Sequence, residues 1–163
     1  MDRRLFMAAA STATCALAVS AAAQESGAKS LPDRFAAALS AHDMAAFAAL
    51  FADDYVNHQV SAAAPPPPPD KSPKQATVGF FAARLAGIPD LRVAIEAAVA
   101  SDDRVAASFV YTGTHTGPLF GVAPTNRSLR FTSCDIFRLK NGLCAEHWGM
   151  GDIAGVLAQL RGG

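Results

Sequence analysis

The stretch SLRFTSCDIFRLK (residues 128–140), NG (141–142) and LCAEHWGM (143–150) decides how this chain folds. Apolar and polar residues alternate on both sides of Asn141-Gly142, and that dipeptide between alternating runs is a strong short-range signal for a β-hairpin. The register then decides which side chains share a face. A two-residue turn pairs Lys140 with Leu143 and Asp135 with Trp148, which crowds Asp135 and Glu146 on one side. A turn that uses Gly142 as a bulge pairs Leu139 with Leu143 and Asp135 with His147. That register places Asp135, Phe137, Ala145 and His147 on one face, with Gly149 beside them. The second register is favoured, because Asp and His side by side hydrogen-bond while two carboxylates repel. Neither register joins Cys134 to Cys144. They sit about four residues apart along the strand, on the order of 13 Å at ~3.3 Å per residue, too far for a disulfide.

Working outward, period two continues upstream. Leu91, Val93, Ile95, Ala97 and Val99 alternate with Arg92, Ala94, Glu96 and Ala98, and Ser101-Asp102-Asp103 turns the chain into a second strand from Val105 to Thr114. Ahead of the strands the spacing is helical. Ser30 caps a helix carrying Phe35, Ala38, Leu39 and His42. Asp43 caps a short one with Phe47, Leu50 and Phe51 on its apolar side, and Tyr55 to His58 form a short extended piece. Ser72-Pro73-Lys74-Gln75 is a capping box with Pro at the first helical position; Phe80, Phe81, Arg84 and Leu85 lie on that helix and Gly87 stops it. Asp152 caps a last helix with Ile153, Val156, Leu157 and Leu160 on one side. Helices, then an antiparallel meander, then a closing helix give an α+β class. Pro65–Pro69 reads as a stiff polyproline connector rather than as a ligand for a proline-recognising module.

The 163 residues suit one domain. Lys plus Arg and Asp plus Glu are 14 each, so the chain lacks the basic footprint that nucleic-acid binding needs. The hydrophobic share of 51% is inflated by 36 alanines, so the core must come from Phe, Leu, Ile and Val. Asp2-Arg3-Arg4, a short apolar run and Ala21-Ala22-Ala23 read as an export signal over residues 1–23, and the paired arginines followed by Leu-Phe resemble a twin-arginine signal. Residues 24–30 follow as a flexible start, and 31–161 as the domain. The expected location is the periplasm or the exterior, with no stable membrane span.

Asp135 and His147 are the candidate catalytic residues, since a carboxylate fixes the orientation and tautomer of an imidazole and raises its basicity. The same pair would also serve as a self-satisfied buried contact. His115, in Gly113-Thr114-His115-Thr116-Gly117, either lines the mouth of a cavity or ends a strand. The four histidines lack metal-ligand spacing, no Gly-rich phosphate loop follows a strand, and the GxSxG elbow is absent. No cofactor and no metal are expected.

GTHTGPLFGVAPT (113–125), DIFR (135–138), Asn141-Gly142 and Glu146-His147-Trp148, with YVNH (55–58) and IPDL (88–91), resemble the SnoaL-like polyketide cyclases over about residues 31–161. The resemblance implies a curved antiparallel sheet wrapped by helices into a cone with an apolar cavity, as in nuclear-transport-factor-like proteins, and commonly a homodimer. It implies cofactor-free ring closure by an intramolecular aldol step on a small apolar, aromatic or polyketide-like substrate. The family's acid matches Gly149 here, and Asp135 matches a histidine. Asp135 with His147 would then supply the acid–base chemistry of a cyclase, lyase, dehydratase or isomerase. Tyr55, Asn57, His58, His115, Phe81 and Phe137 would contact the substrate. The alternative is a binding protein that keeps the cavity without the chemistry.

Overall fold

The computed structural model describes residues 31–59 and 68–162. The expected export signal, residues 24–30, the expected Ser30 cap and Pro65–Pro67 lie outside the described residues. Helix α1 covers residues 31–40, followed by α2 (Met44–Ala48), β1 (Phe51–Asn57), α3 (Pro73–Gly87), β2 (Arg92–Ser101), β3 (Arg104–Thr114), β4 (Ser128–Lys140), β5 (Leu143–Gly151) and α4 (Ile153–Arg161). The class is α+β, with helices against a curved five-stranded sheet of order β1-β5-β4-β3-β2.

The helix starts follow their caps. The Asp43 carboxylate accepts from Ala46 N at 2.8 Å, and Asp152 from Gly155 N at 2.8 Å. Ser72 accepts from Gln75 N while Gln75 accepts from Ser72 N, so α3 begins on a complete capping box. Two helical expectations need correction. α1 stops at residue 40, and His42 takes a left-handed φ of 58° with its ring 3.4 Å from Leu91 O. α2 ends at Ala48, so Phe51 opens β1 instead of closing a helix. The Leu50 carbonyl there accepts from Cys144 N at 2.8 Å, which commits the chain to the sheet.

The sheet also departs from a pure antiparallel meander, because β1 runs parallel to β5. The β2–β3 and β4–β5 pairs are tied by tight turns and β3 lies antiparallel to β4; β1 reaches the sheet from outside the meander, so no hairpin sets its direction. A bulge between Ile95 and Ala97 in β2 reverses the later alternation and leaves Val99 71% exposed.

At the β4–β5 hairpin neither expected register holds throughout. Asn141 and Gly142 take φ of 54° and 76°, a two-residue turn pairing Lys140 with Leu143 and Leu139 with Cys144. The ladder then shifts, pairing Arg138 with Glu146, Phe137 with His147 and Asp135 with Gly149. Ala145 is the extra residue. Cys144 and Ala145 are consecutive and both buried, so the bulge sits inside the strand rather than at Gly142. Asp135 and His147 are diagonal neighbours on one face, not direct partners. Cys134 and Cys144 are both free.

Aromatic rings fill the space between helices and sheet. Phe35 of α1 has its centroid 5.1 Å from Phe47, 5.4 Å from Phe81, 5.0 Å from Phe109 and 5.7 Å from Phe137. Burying each such ring contributes about 1.5–3 kcal/mol, and together they pin the helices over the inner face of the sheet.

Candidate active site

The inner face of β4 and β5 carries a buried line of polar groups. His147 Nε2 lies 2.8 Å from Asp135 Oδ1 and both residues are 5% exposed. Ser133 Oγ donates to Asp135 Oδ2 at 2.5 Å, and Tyr111 OH lies 3.2 Å from Ser133 Oγ. On the other side Tyr55 OH lies 3.2 Å from His147 Nδ1, and Thr77 Oγ1 donates to Tyr55 at 3.5 Å. Asn57 Nδ2 donates to Thr77 Oγ1 at 3.2 Å.

One proton arrangement satisfies the whole line. With Asp135 ionised, Nε2–H of a neutral His147 donates to it, Nδ1 is left basic, and the Tyr55 hydroxyl donates to Nδ1. Burial keeps that hydroxyl protonated, since desolvation raises the Tyr55 pKa well above its usual 10.0. Tyr111 is pushed up to about 12, again chiefly by burial. Phe137 stacks on the His147 ring at 5.0 Å and 12°, fixing its plane.

Gly149 makes room for the pair. A Cβ there would lie 2.7 Å from His147 Nε2 and 2.8 Å from Cε1, and nearer still to Asp135 Oδ1. The Asp135 carboxylate therefore occupies the space a side chain at 149 would enter, delivered from the facing strand.

Arg84 brings a positive charge to the same end of the line. Its guanidinium carbon lies 4.9 Å from the Phe80 and Phe81 ring centroids, 5.1 Å from Tyr111 and 5.2 Å from Phe131. The residue is 6% exposed. Burial pushes its pKa down, while the negative charge of Asp135 is among the influences that oppose this.

Of the residues expected at the site, Asp135, His147, Tyr55 and Phe137 come together, and Phe81 joins through Arg84. Asn57 is exposed and reaches the line only through Thr77. His58 is misplaced in that expectation. It lies on the outer face, stacked on Trp148 at 4.5 Å and 7°, with Nε2 2.8 Å from Glu146 Oε2. Alternation explains this, because His58 follows Asn57 at the end of β1 and its N–H bonds to His147 O at 2.8 Å. There the His58 ring and the Arg138 guanidinium hold the Glu146 carboxyl below its ordinary range. His115 is fully buried in the loop after β3, where Nδ1 accepts from Thr125 N at 3.2 Å, and it makes no bond to the line.

A surface groove along Ala48, Asp53 and the start of α3, and another between β3, β4 and Gln159, do not include Asp135 or His147. Phenylalanine rings pack between the helices and the sheet beside the pair.

Thr77, Arg84, Tyr111 and Ser133 escape the sequence reading. The available signals were the two-residue step from Ser133 to Asp135 on one strand face, and Arg84 lying three and four residues after Phe81 and Phe80 on one helix stripe. Among the described residues no group of three or more His, Cys, Asp or Glu could hold a metal ion, and no helix is long and apolar enough to cross a membrane.

A family model described as SnoaL-like polyketide cyclase matches residues 29–160. Among solved structures, IdmH of Streptomyces antibioticus, a proposed polyketide cyclase, is 28% identical with a TM-score of 0.69, over 82% of this chain and 97% of that one. AclR of Streptomyces galilaeus, a proposed hydroxylase, is 25% identical with a TM-score of 0.71, over 84% of this chain and 82% of that one. A proposed SnoaL-like polyketide cyclase from Jannaschia sp. CCS1 shares the fold at 18% identity and a TM-score of 0.69, over 85% and 94% of the two chains. No curated protein matches the chain.

Proposed function

The chain belongs to the SnoaL-like polyketide cyclase family, and from that premise we propose that it is a cofactor-free acid–base enzyme in which His147 moves the proton. The observation that carries this reading is the buried His147–Asp135 hydrogen bond, built into space that Gly149 leaves empty. His147 Nδ1 takes a proton from a C–H between carbonyls, and Asp135 stabilises the imidazolium that forms. The resulting enolate attacks a second carbonyl to close a ring, and the alkoxide recovers the proton from Nδ1–H. The same proton cycle serves retro-aldol cleavage, dehydration or isomerisation. Asp135 is a positioning residue. Tyr55, which holds Nδ1 in the closed structure, donates to substrate oxygen once substrate displaces it. The substrate is small, largely apolar and oxygenated.

Phe35 and its aromatic neighbours must move to admit such a molecule. That sealing favours a second reading, a ligand carrier that opens and closes without chemistry. His147→Gln and Asp135→Asn decide between the two. With a panel of aryl poly-β-keto acids and their esters in D2O, an enzyme incorporates deuterium and forms product, and loses both in the folded His147→Gln form. Ligand retention without turnover in any form establishes the carrier.

Two further readings belong with this one. Residues 1–23 export the chain, so amino-terminal sequencing of secreted protein should begin at Gln24. The outer face of the sheet, with Ile136 42%, Val99 71% and Met150 80% exposed around Trp148, is the surface of a homodimer. Sedimentation should report a dimer that Ile136→Lys weakens.

A further inference from the structure

The Arg84 guanidinium is a positive charge held in an aromatic interior, with the residue only 6% exposed. Among the described residues it forms no ion pair, and its polar neighbour is the Tyr111 hydroxyl, which leaves most of its five N–H donors without a protein acceptor. Four aromatic faces surround it and offset part of the desolvation, but apart from the Tyr111 hydroxyl they offer no acceptor for those donors. A structural filler at this place would be apolar, because an unpaired buried charge costs several kcal/mol. Tyr111, one of the four rings, links through Ser133 to Asp135, so the cation stands at one end of the proton-moving line. A planar fork with donors to spare beside a proton-transfer pair fits an anionic oxygen.

We infer that Arg84 anchors a carboxylate of the substrate, so that the ligand class is aromatic or polyketide-like acids rather than their neutral counterparts. The inference rests on the reading of His147 and Asp135 as the proton-moving centre and adds the charge requirement to it. The aromatic faces around the guanidinium then stack on the rest of an unsaturated ligand, and the cation offsets the charge of its carboxylate.

The test uses the full chain, with 2-naphthoate and neutral 2-naphthamide as matched probes in ligand-observed NMR titrations at pH 7. Wild type should bind naphthoate at least about tenfold more tightly than naphthamide, a gap of about 1.4 kcal/mol. Arg84→Met, which fills the aromatic cage without charge, should bind the two alike. Arg84→Lys, which keeps the charge without the fork, should fall between, and stands in if the Met variant does not fold. A purely structural Arg84 would change stability but not the ratio of the two affinities. Equal binding in wild type, binding of neither probe, or a preference that survives Arg84→Met overturns the inference. His147→Gln separates the two claims. Lost turnover in that variant with no naphthoate preference in wild type sinks the anchor alone, while a preference lost in Arg84→Met with turnover intact in His147→Gln sinks the proton-moving reading alone.

Discussion

Replacing Gly149 by Ala tests the site with a single methyl group. The added carbon would stand 2.7 Å from His147 Nε2 and closer to Asp135 Oδ1, inside any tolerable contact, so the pair must part or the strands must move. Separating a buried, charge-assisted hydrogen bond costs about 1.5–3 kcal/mol, and forcing an extra carbon into a packed interior costs about 1–3 kcal/mol. The two overlap, since one movement relieves both, and the expected loss is about 2–4 kcal/mol. For a domain of this size that lowers the melting temperature by on the order of 10 °C. Gly151 supplies the control on the same face of the same strand, because a Cβ there meets only Ser133 Cβ at 4.0 Å. Gly151→Ala should stay within about 0.5 kcal/mol of wild type. Urea unfolding of both variants, of Asp135→Ala and of Gly149→Ala with Asp135→Ala completes the comparison. Because Asp135 is the nearest obstacle, the double variant should be more stable than the sum of its parts by about 1 kcal/mol. If Gly149→Ala matches Gly151→Ala, or adds to Asp135→Ala without interaction, the account of position 149 is wrong.

Tyr55→Phe removes the donor to His147 Nδ1 and should cost about 1–2 kcal/mol in urea unfolding; a neutral result would show that the ring nitrogen has another partner. Burial pushes the Cys144 thiol up to about 12, whereas Cys134 is exposed. Peptide-resolved iodoacetamide labelling at pH 8 should therefore modify Cys134 in the folded protein and Cys144 only in denaturant, and early labelling of Cys144 would contradict its placement. Asp90 accepts from Thr114 N at 2.6 Å and from Thr114 Oγ1 at 2.8 Å, and these bonds hold its pKa below the ordinary 3.8. A depressed folded pKa gives stability that is present above the ordinary carboxylate range and lost as pH falls through the folded value. The stability gap between wild type and Asp90→Asn should thus be seen at pH 7 and shrink by pH 2; an equal gap at both would refute the assignment.

The inner placement of Asp135 and His147 was legible although the pairing was not. Chemistry required Asp and His on one face, and both a bulge at Gly142 and the observed bulge at Ala145 preserve that parity. The position of the bulge had no local mark, because Cys144 and Ala145 are small and apolar and pass equally well for regular strand. His58 was placed inside because its neighbours in sequence are at the site, but strand alternation sends it out. Arg84 was overlooked because a charged residue on a helix ordinarily faces water, and only the rings that β3 and β4 bring to α3 make it an interior group. The Asn-Gly turn, the capping box of α3 and the Asp152 cap needed no tertiary context, and each stands where local chemistry puts it.

The parallel pairing of β1 with β5 has a consequence for the order in which the site is assembled. β2 to β5 are successive in the chain and can zip locally, whereas Tyr55 meets His147 across 92 residues. Such a long loop closes late, because its entropy cost is met before its contacts form. In refolding, the His147–Asp135 bond should therefore form with the meander, while Tyr55 arrives afterwards, and Tyr55→Phe should speed unfolding while leaving the refolding rate nearly unchanged. The last contact made is the one that caps the basic nitrogen, so a partly assembled molecule carries an uncapped base before the finished one covers it.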